Sequence, residues 1–318
     1  MTDLEVVTMG RVSVDLYPEQ IGVSLADVRT FRKSLGGSAT NVAVAAARLG
    51  HPSAVITKVG DDGFGTYVRR ALEGFGVDPG WVGTDPDLRT PIVFCEIYPP
   101  DNFPLLFYRE PKAPDLNLLP SDLDLAAIRA AGVLWTTGTG LSAEPSRSTT
   151  LMALGERAAR EDGRIAIHDL DHRPMFWSDP EEAGRWARAA LAHATVAVGN
   201  QDEVEVAVGT RDPHEASSRL LELGVDLAIV KRGPDGALAR TRAAVIEVDP
   251  VRLPVLNGLG AGDAFGGALA HALLAGWDVD RALRLANAAG AVVASRLACA
   301  DDMPTLAEIE VVLGEEVR

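Results

Sequence analysis

The sequence has only two cysteines and no long apolar run. Cys95 and Cys299 are far apart, which excludes a CxxC redox pair and a dense disulfide framework, and we expect both to be core thiols. No apolar run reaches the roughly 18 residues of a membrane span. The first ten residues, MTDLEVVTMG, have two acids and no basic flank, unlike a signal peptide. We therefore expect a cytoplasmic protein without a membrane partner.

Positive charge is also scarce. Lys and Arg total 30 against 45 Asp and Glu, a formal net charge of -15. Such a surface argues against nucleic acid as a partner, although a local basic pocket can still hold a small anion. The 318 residues, 47% of them hydrophobic, suffice for one large α/β domain or two modest ones with a sizeable core.

Apolar, β-rich runs alternate with amphipathic stretches along most of the chain. This alternation predicts βαβ units and a mainly parallel sheet. The first strand is predicted in EVVTMGRVSVDL, a helix from Ala39 to Gly50, and two long helices from Ala261 to about Ala275 and from Arg281 to about Arg296.

Two segments, 16–35 and 90–113, interrupt this rhythm. The second reads as two strands joined by a turn that contains Pro and Asn, hence a β-hairpin. Paired with the first, it predicts a small antiparallel sheet that acts as a lid. The main α/β domain would then comprise 1–15, 36–89 and 114–318.

The stretch NGLGAGDAFGG sets Gly258, Gly260 and Gly262 before a predicted helix that carries Asp263. Glycines allow close backbone approach, and free N–H groups at a helix N-terminus suit a phosphate. A Rossmann loop would follow the first strand and a Walker A loop would include Lys, so neither fits. Asp263 is either a base beside an anion hole or a residue that only caps or charge-complements its helix.

A second glycine cluster, LGGSATNVAVAAARLG, places Gly36 and Gly37 before another helix, with Asn41 one turn in. Small residues there let a ligand touch the backbone. The alternative is a tight turn with Ser38 as the N-cap.

Five motifs, GGSATNVAVAAARLG, VGDDGFG, GNQDE, VKRGPDGA and NGLGAGDAFGG, together resemble the ribokinase/PfkB family of sugar kinases in order and spacing. The resemblance covers nearly the whole chain. It implies a ribokinase-like three-layer α/β sandwich with a β lid, ATP with Mg²⁺ as cofactors, and phosphoryl transfer to a sugar hydroxyl.

Family motifs assign roles on the phosphoryl side. Asp263 matches the base, and Gly260, Ala261 and Gly262 match the anion hole. The resemblance further implies that Glu203 organises Mg²⁺ through water, and that the nucleotide contacts Asn200, Glu203, Lys231, Gly233, Gly258 and Asn287. Asn200 with Glu203 could alternatively be an ordinary strand-to-helix turn, and Asn287 a polar residue on a helix surface.

On the acceptor side, Asp15, Gly36, Gly37 and Asn41 match the family residues that bind sugar hydroxyls.

Arginines in two further segments bear on the choice of sugar. LLFYREPKA contains Arg109, and HDLDHRPMFW contains Asp171 and Arg173 just past a strand. Guanidinium groups bind carboxylates at two points, which favours an acidic sugar, unless these arginines only form salt bridges. Both segments resemble those of two groups of family members, the kinases for 5-dehydro-2-deoxygluconate and for 2-dehydro-3-deoxygluconate. The resemblance is closer to the first group, whose substrate arises in myo-inositol breakdown.

Two alternatives to an acid-sugar kinase stay open: a ribokinase- or fructokinase-like enzyme for a neutral sugar, and a non-catalytic sensor on the same fold. One departure concerns cations. Family members with a monovalent-cation site usually carry Asp and Thr where this chain has Asn257 and Leu259, poorer cation ligands. The apolar lid runs IVFCEIY and LLFY predict a homodimer formed through the lid.

Overall fold

A mainly parallel sheet forms the centre of the molecule. The computed structural model describes residues 4–158 and 165–314, so the chain ends and residues 159–164 of the predicted main domain lie outside it. Among the described residues the sheet has the order β14-β13-β12-β11-β10-β9-β1-β4-β5, with β6 also paired to β4. Its strands are β1 Val6–Met9, β4 Ser53–Gly60, β5 Val77–Asp78, β6 Val82–Asp85, β9 Val133–Thr137, β10 Ile165–Asp169, β11 Val196–Asn200, β12 Leu227–Lys231, β13 Ala237–Arg240 and β14 Val245–Val248.

Continuous apolar runs explain the parallel strands. All eight residues of β4 and all four of β1 are buried, as expected for strands covered on both faces. In this sheet only the β12-β13-β14 edge is antiparallel. Burial is lower there, and Val248 is the one buried residue of the four in β14.

Helices cover the sheet in two layers. One core cluster includes residues of α1, α2, α8, α9 and α10, and two others include residues of α3 to α7. The helices are α1 Ser38–Arg48, α2 Gly63–Gly74, α3 Leu125–Ala130, α4 Ser146–Ala158, α5 Pro180–Leu191, α6 Gln201–Val208, α7 Pro213–Glu222, α8 Ala261–Leu274, α9 Val279–Ala294 and α10 Leu306–Leu313. This is the predicted three-layer α/β architecture.

The second sheet contains the predicted antiparallel hairpin, 92–95 with 105–108, but this hairpin pairs in parallel with residues 14–16, so the prediction of an antiparallel pairing between the two segments was wrong. It has the order β3-β2-β7-β8, built from β2 Ser13–Pro18, β3 Phe31–Gly36, β7 Ile92–Cys95 and β8 Leu105–Tyr108. We call it the lid sheet. The prediction of one first strand was wrong, because Gly10 to Val12 separate β1 in the main sheet from β2 in the lid sheet.

Helix α8, which follows the glycine loop, packs closely against the main sheet. A methyl group on Gly266 would come within 2.6 Å of Trp135, which is fully buried in β9. Both long helices predicted near the end of the chain are present as α8 and α9. In the described residues, no helix is long and apolar enough to cross a membrane.

Candidate active site

Polar side chains gather at the carboxyl ends of the parallel strands. Arg11 follows β1, Asp171 follows β10, and Lys231 ends β12. In open α/β sheets this edge is where ligands bind. The helices α1 and α8, which carry Asn41 and Asp263, begin beside it.

Helix α8 begins without a side-chain cap. Its N-cap is Gly260, whose φ of 80° is in the left-handed region that favours glycine. Asp263 lies in the first turn and does not cap the helix, although its charge there complements the helix start, the other structural interpretation. The N–H of Gly262 has no acceptor among the described residues, and a methyl group on Gly262 would lie 3.3 Å from Lys231 Nζ. This helix start therefore offers unpaired N–H groups beside an ammonium, which suits a phosphate.

Asp263 is held toward α1 by one hydrogen bond. Asn41 Nδ2 donates to Asp263 Oδ2 at 2.7 Å. Burial raises the pKa of Asp263 to about 6, and Asp171 raises it too, while the Asn41 bond and the charges of Arg11 and Arg173 oppose the rise. A carboxylate with this pKa is ionised at neutral pH and still basic enough to take a proton from a hydroxyl.

Asp171 organises the centre of the cluster. Its Oδ2 accepts hydrogen bonds from Ser38 Oγ at 2.6 Å and Thr139 Oγ1 at 2.8 Å, and its Oδ1 lies 3.1 Å from Arg173 Nη2. Its φ of 29° is unusual for a residue other than glycine. Arg173 and Arg11 lower its pKa despite the opposing effect of burial.

Ser38 is not the N-cap of α1, contrary to one sequence interpretation. The N-cap is Gly37, with φ 102°, and the Ser38 hydroxyl binds Asp171 instead.

Lys231 and Asp169 form a buried ion pair under the α8 start. Lys231 Nζ lies 3.7 Å from Asp169 Oδ1. Burial raises the pKa of Asp169 to about 7, opposed by Lys231 and assisted by Glu203. Burial lowers the pKa of Lys231, but the surrounding carboxylates more than offset this, and the lysine stays cationic.

Asn200 and Glu203 form a reciprocal capping box at the start of α6. Asn200 Oδ1 accepts from the Glu203 N–H at 2.9 Å, and Glu203 Oε2 accepts from the Asn200 N–H at 2.7 Å. The structural alternative for this pair is therefore present. Glu203 Oε1 lies outside the box, 3.8 Å from Arg173 Nη1.

Gly233 and Asn287 are two further residues that the sequence predicts to contact the nucleotide. Gly233 is exposed after β12, with φ 58°. Asn287 on α9 donates from Nδ2 to the Asp249 carbonyl at 2.7 Å, as a polar residue on a helix surface would. Their binding roles stay predictions.

The predicted acceptor residues lie where α1 meets the lid sheet. Asp15 on β2 accepts from Ser13 Oγ at 2.7 Å, and burial raises its pKa. A methyl group on Gly36 would overlap the Asp15 carboxyl group, and one on Gly37 would lie 2.6 Å from the Val12 Cα. Asn41 Oδ1 is buried without a partner among the described residues, so this amide has an acceptor free for a ligand hydroxyl.

Arg109 is already paired. Its Nη1 and Nη2 lie 3.1 and 2.6 Å from the two carboxylate oxygens of Asp115, and both residues are buried. Its guanidinium also lies over the Phe176 ring, 5.1 Å from the centroid. Binding of the acceptor by Arg109 stays a prediction.

The connection between β7 and β8 contacts the glycine loop. A methyl group on Gly258 would come within 2.9 Å of the Phe103 ring, which belongs to the β7–β8 connection. Next to it, Asn257 is fully buried and uses both ends of its amide: Nδ2 donates to the Leu297 carbonyl at 2.6 Å, and Oδ1 accepts from the Leu259 N–H at 3.0 Å.

Sequence reasoning missed Arg11 and Asp169. Both stand at the carboxyl ends of strands, which is a signal for site residues in α/β folds. Cys95 and Cys299 are free and buried, as expected for core thiols, and Cys299 Sγ would be 2.6 Å from a methyl group on Gly260.

Comparison with known proteins decides the family. The model of the pfkB family carbohydrate kinases matches residues 3–306. The chain belongs to this family. Membership makes it a phosphotransferase that acts on a sugar hydroxyl.

Curated relatives and solved structures agree with this pfkB assignment. The 5-dehydro-2-deoxygluconokinase of Geobacillus kaustophilus (strain HTA426) is 32% identical over 96% of this chain and 92% of its own length. The enzyme of the same name from Shouchella clausii (strain KSM-K16) is 31% identical over 98% and 96%. A putative ribokinase II from E. coli, solved with ATP and Mg²⁺, has 25% identity and a TM-score of 0.88 over 98% of this chain and 99% of its own. The pfkB fold predicted from the motifs is thus confirmed.

Proposed function

We propose that this protein phosphorylates the terminal hydroxyl of 5-dehydro-2-deoxygluconate with ATP. One observation carries the proposal: Asp263, with a pKa of about 6, stands in the first turn of a helix whose start has no side-chain cap. A base beside an anion-binding helix start is what transfer of a phosphoryl group to a hydroxyl requires. The names of the two curated relatives support this acceptor.

The residues of the chain divide the chemistry between them. Asp263 accepts the acceptor's hydroxyl proton as that oxygen bonds to phosphorus, and the bond from phosphorus to the leaving ADP oxygen breaks. The N–H groups of Gly260, Ala261 and Gly262 would donate to the transferring oxygens, which requires the Ala261 N–H to leave its long, 3.4 Å contact with the Gly258 carbonyl. Asn41 holds the carboxylate in place through its 2.7 Å hydrogen bond.

ATP supplies the phosphoryl group, and Mg²⁺ neutralises phosphate charge when both are bound. Lys231 beside the α8 start fits the phosphates, and we assign Gly258, Gly233 and Asn287 to the nucleotide. The described residues contain no cluster of three or more His, Cys, Asp or Glu able to hold a metal. We assign the contact with a Mg²⁺ that keeps its water to Glu203, whose Oε1 lies outside the capping box with Asn200.

We assign the acceptor to the space between α1, β2 and α8, lined by Asp15, Gly36, Gly37, Asn41 and Arg173. Residues 16–35 and 90–113 would act as the lid over it. The contact of Phe103 with Gly258 supports this role, because it joins the lid to the glycine loop.

Two wider proposals accompany the reaction. The lid of a second copy is the partner we assign to Leu106 and Tyr108, which are 48% and 59% exposed on the edge strand β8. Leu106→Glu should then yield monomers in sedimentation experiments, and an unchanged mass would contradict the dimer.

The second wider proposal is a cytoplasmic location for this protein. The proposed use of ATP as the phosphoryl donor supports it.

The test of the function is an ATP-consumption screen. The acceptors are 5-dehydro-2-deoxygluconate, 2-dehydro-3-deoxygluconate, fructose and ribose, each with the wild type and Asp263→Asn. We expect the highest kcat/KM on the first acid, and for the variant a kcat lower by about 10²- to 10⁴-fold. Preference for another acceptor would refute the substrate, and no ATP consumption with any acceptor would instead support a sensor.

A further inference from the structure

Arg11 is a buried cation without a hydrogen-bond acceptor. It is 8% exposed, its Nε has no partner, and no described residue accepts a hydrogen bond from its guanidinium. The nearest anionic atom is Asp171 Oδ2, 4.0 Å from Nη2. That oxygen already accepts from Ser38 and Thr139. Buried charges are normally satisfied by hydrogen bonds, so the five N–H groups of Arg11 are available to a ligand.

The surroundings of Arg11 place it in the acceptor region. Its charge opposes the burial that raises the pKa values of both Asp15 and Asp263, so it lies near the acceptor-side carboxylate and the base. The guanidinium lies over the Phe107 ring of the lid sheet, 5.8 Å from the centroid. One face is thus covered by the lid, while its edge carries the unpaired donors.

Arg173 is a second cation with a free buried donor in the same cluster. Its Nη2 pairs with Asp171 at 3.1 Å, but its Nε is buried without a partner among the described residues. Asp171 therefore lies between two guanidinium groups and binds neither of them fully. A carboxylate from a ligand would complete the hydrogen bonds of both.

We propose that Arg11, with Arg173, binds the carboxylate of the acidic acceptor and that this pair, rather than Arg109, selects for it. The inference rests on the proposed function and assigns the charge recognition to named side chains. The charge of Arg109 is already matched by Asp115, which both of its Nη atoms contact, whereas Arg11 has no such partner.

Arg109 acts instead as a positioning residue. Asp115 Oδ2 accepts from Arg109 Nη1 and also from the Val12 N–H, both at 3.1 Å. The Arg109–Asp115 pair thus fixes the backbone directly after Arg11. Two aromatic rings also connect the two arginines. Phe176, under the Arg109 guanidinium, packs edge-on against Phe107, under that of Arg11, with ring centroids 5.1 Å apart.

The experiment compares two acceptors that differ only in the carboxylate. One is 5-dehydro-2-deoxygluconate, and the other carries a hydroxymethyl group in its place. Arg11→Gln should raise KM for the acid by about tenfold to a hundredfold, the range of a charge-assisted hydrogen bond, and change KM for the alcohol by less than about threefold. Arg242→Gln, at an exposed site between β13 and β14, is the matched control and should match the wild type.

Arg11→Lys and direct binding complete the test. Lysine keeps the charge without the planar fork, so its KM for the acid should fall between wild type and Arg11→Gln. Isothermal titration calorimetry with the acid in the absence of ATP should rank the Kd values in the same order. If Arg11→Gln fails to fold, Arg11→Lys alone still tests the inference.

Arg109→Gln separates selection from positioning. A positioning role predicts that it weakens both acceptors to a similar degree. The inference is overturned if the Arg11 variants keep the wild-type ratio of KM values, or if only Arg109→Gln changes it. In either case turnover of the acid by the wild type would leave the proposed function standing, whereas no turnover by the wild type would refute that function itself.

Discussion

Replacing Asp263 with asparagine is expected to stabilise the protein while it removes the reaction. The wild-type carboxylate is charged at neutral pH in a site that raises its pKa from 3.8 to about 6. A carboxyl group with a raised pKa binds its proton more tightly in the folded state, so stability falls as pH rises from 3.8 to 6. Asparagine keeps the shape and can still accept from Asn41 Nδ2, without the charge.

The size of the effect follows from the two pKa values. At 1.36 kcal/mol per pKa unit, the full difference is about 3 kcal/mol above pH 6. At pH 4.5, where the folded carboxyl is protonated and the unfolded one mostly ionised, about 1 kcal/mol is expected. Asp263→Asn should therefore gain stability over the wild type with rising pH up to about pH 7.

Urea unfolding at pH 4.5 and 7.5 measures this gain. The control is Asp226→Asn, an exposed aspartate for which neither stability nor turnover should change. Loss of a general base should lower kcat by about 10²- to 10⁴-fold. The reasoning fails if Asp263→Asn is less stable than the wild type at pH 7.5, or if it keeps kcat within about tenfold.

Three other perturbations address the same site. The kcat/KM for the acceptor should fall below about pH 6, because protonation of Asp263 removes the base, and an initial-rate profile that is flat to pH 5 would contradict this. Gly260→Ala should abolish turnover and lower the melting temperature, since its Cβ would be 2.6 Å from Cys299 Sγ at a φ of 80°. Gly50→Ala, at a φ of 93° with open space around it, controls for backbone strain, and an equal loss of turnover in both variants would refute the packing argument. Activity in potassium and in choline chloride should agree within about twofold, because the neutral amide of Asn257 already bonds to the Leu297 carbonyl and the Leu259 N–H, and a strong potassium dependence would contradict this.

The glycine loop and the second sheet were predictable from the sequence because their signals are local. Three alternating glycines before a helix restrict the backbone within a few residues of Asp263. The hairpin is likewise encoded by two apolar runs and the turn between them. The structure confirms both features, and it adds that Gly260 rather than Asp263 occupies the N-cap position.

The division of the first strand could not be predicted from the apolar pattern. Gly10 and Arg11 interrupt the apolar run, but a glycine and one charged residue do not by themselves show that the chain changes sheets, and the structure buries both of them with Val12. The φ of 148° at Gly10 is seen only in the structure.

The partners of the arginines were also beyond the sequence. Arg109 meets Asp115 in an irregular segment without periodicity, and Arg11 meets Asp171 and Phe107 from distant parts of the chain. Only tertiary packing determines which guanidinium is already paired and which is free.

The short connection between the two sheets has a mechanical consequence. Only residues 10–12 join β1, in the centre of the main sheet, to β2 in the lid sheet. Any rotation of one sheet against the other must change the backbone angles of these three residues, and Arg11 is the middle one. Under the proposed roles of the lid and of Arg11, opening of the lid would itself move the side chain that binds the acceptor's charged end, so that opening and release would be coupled.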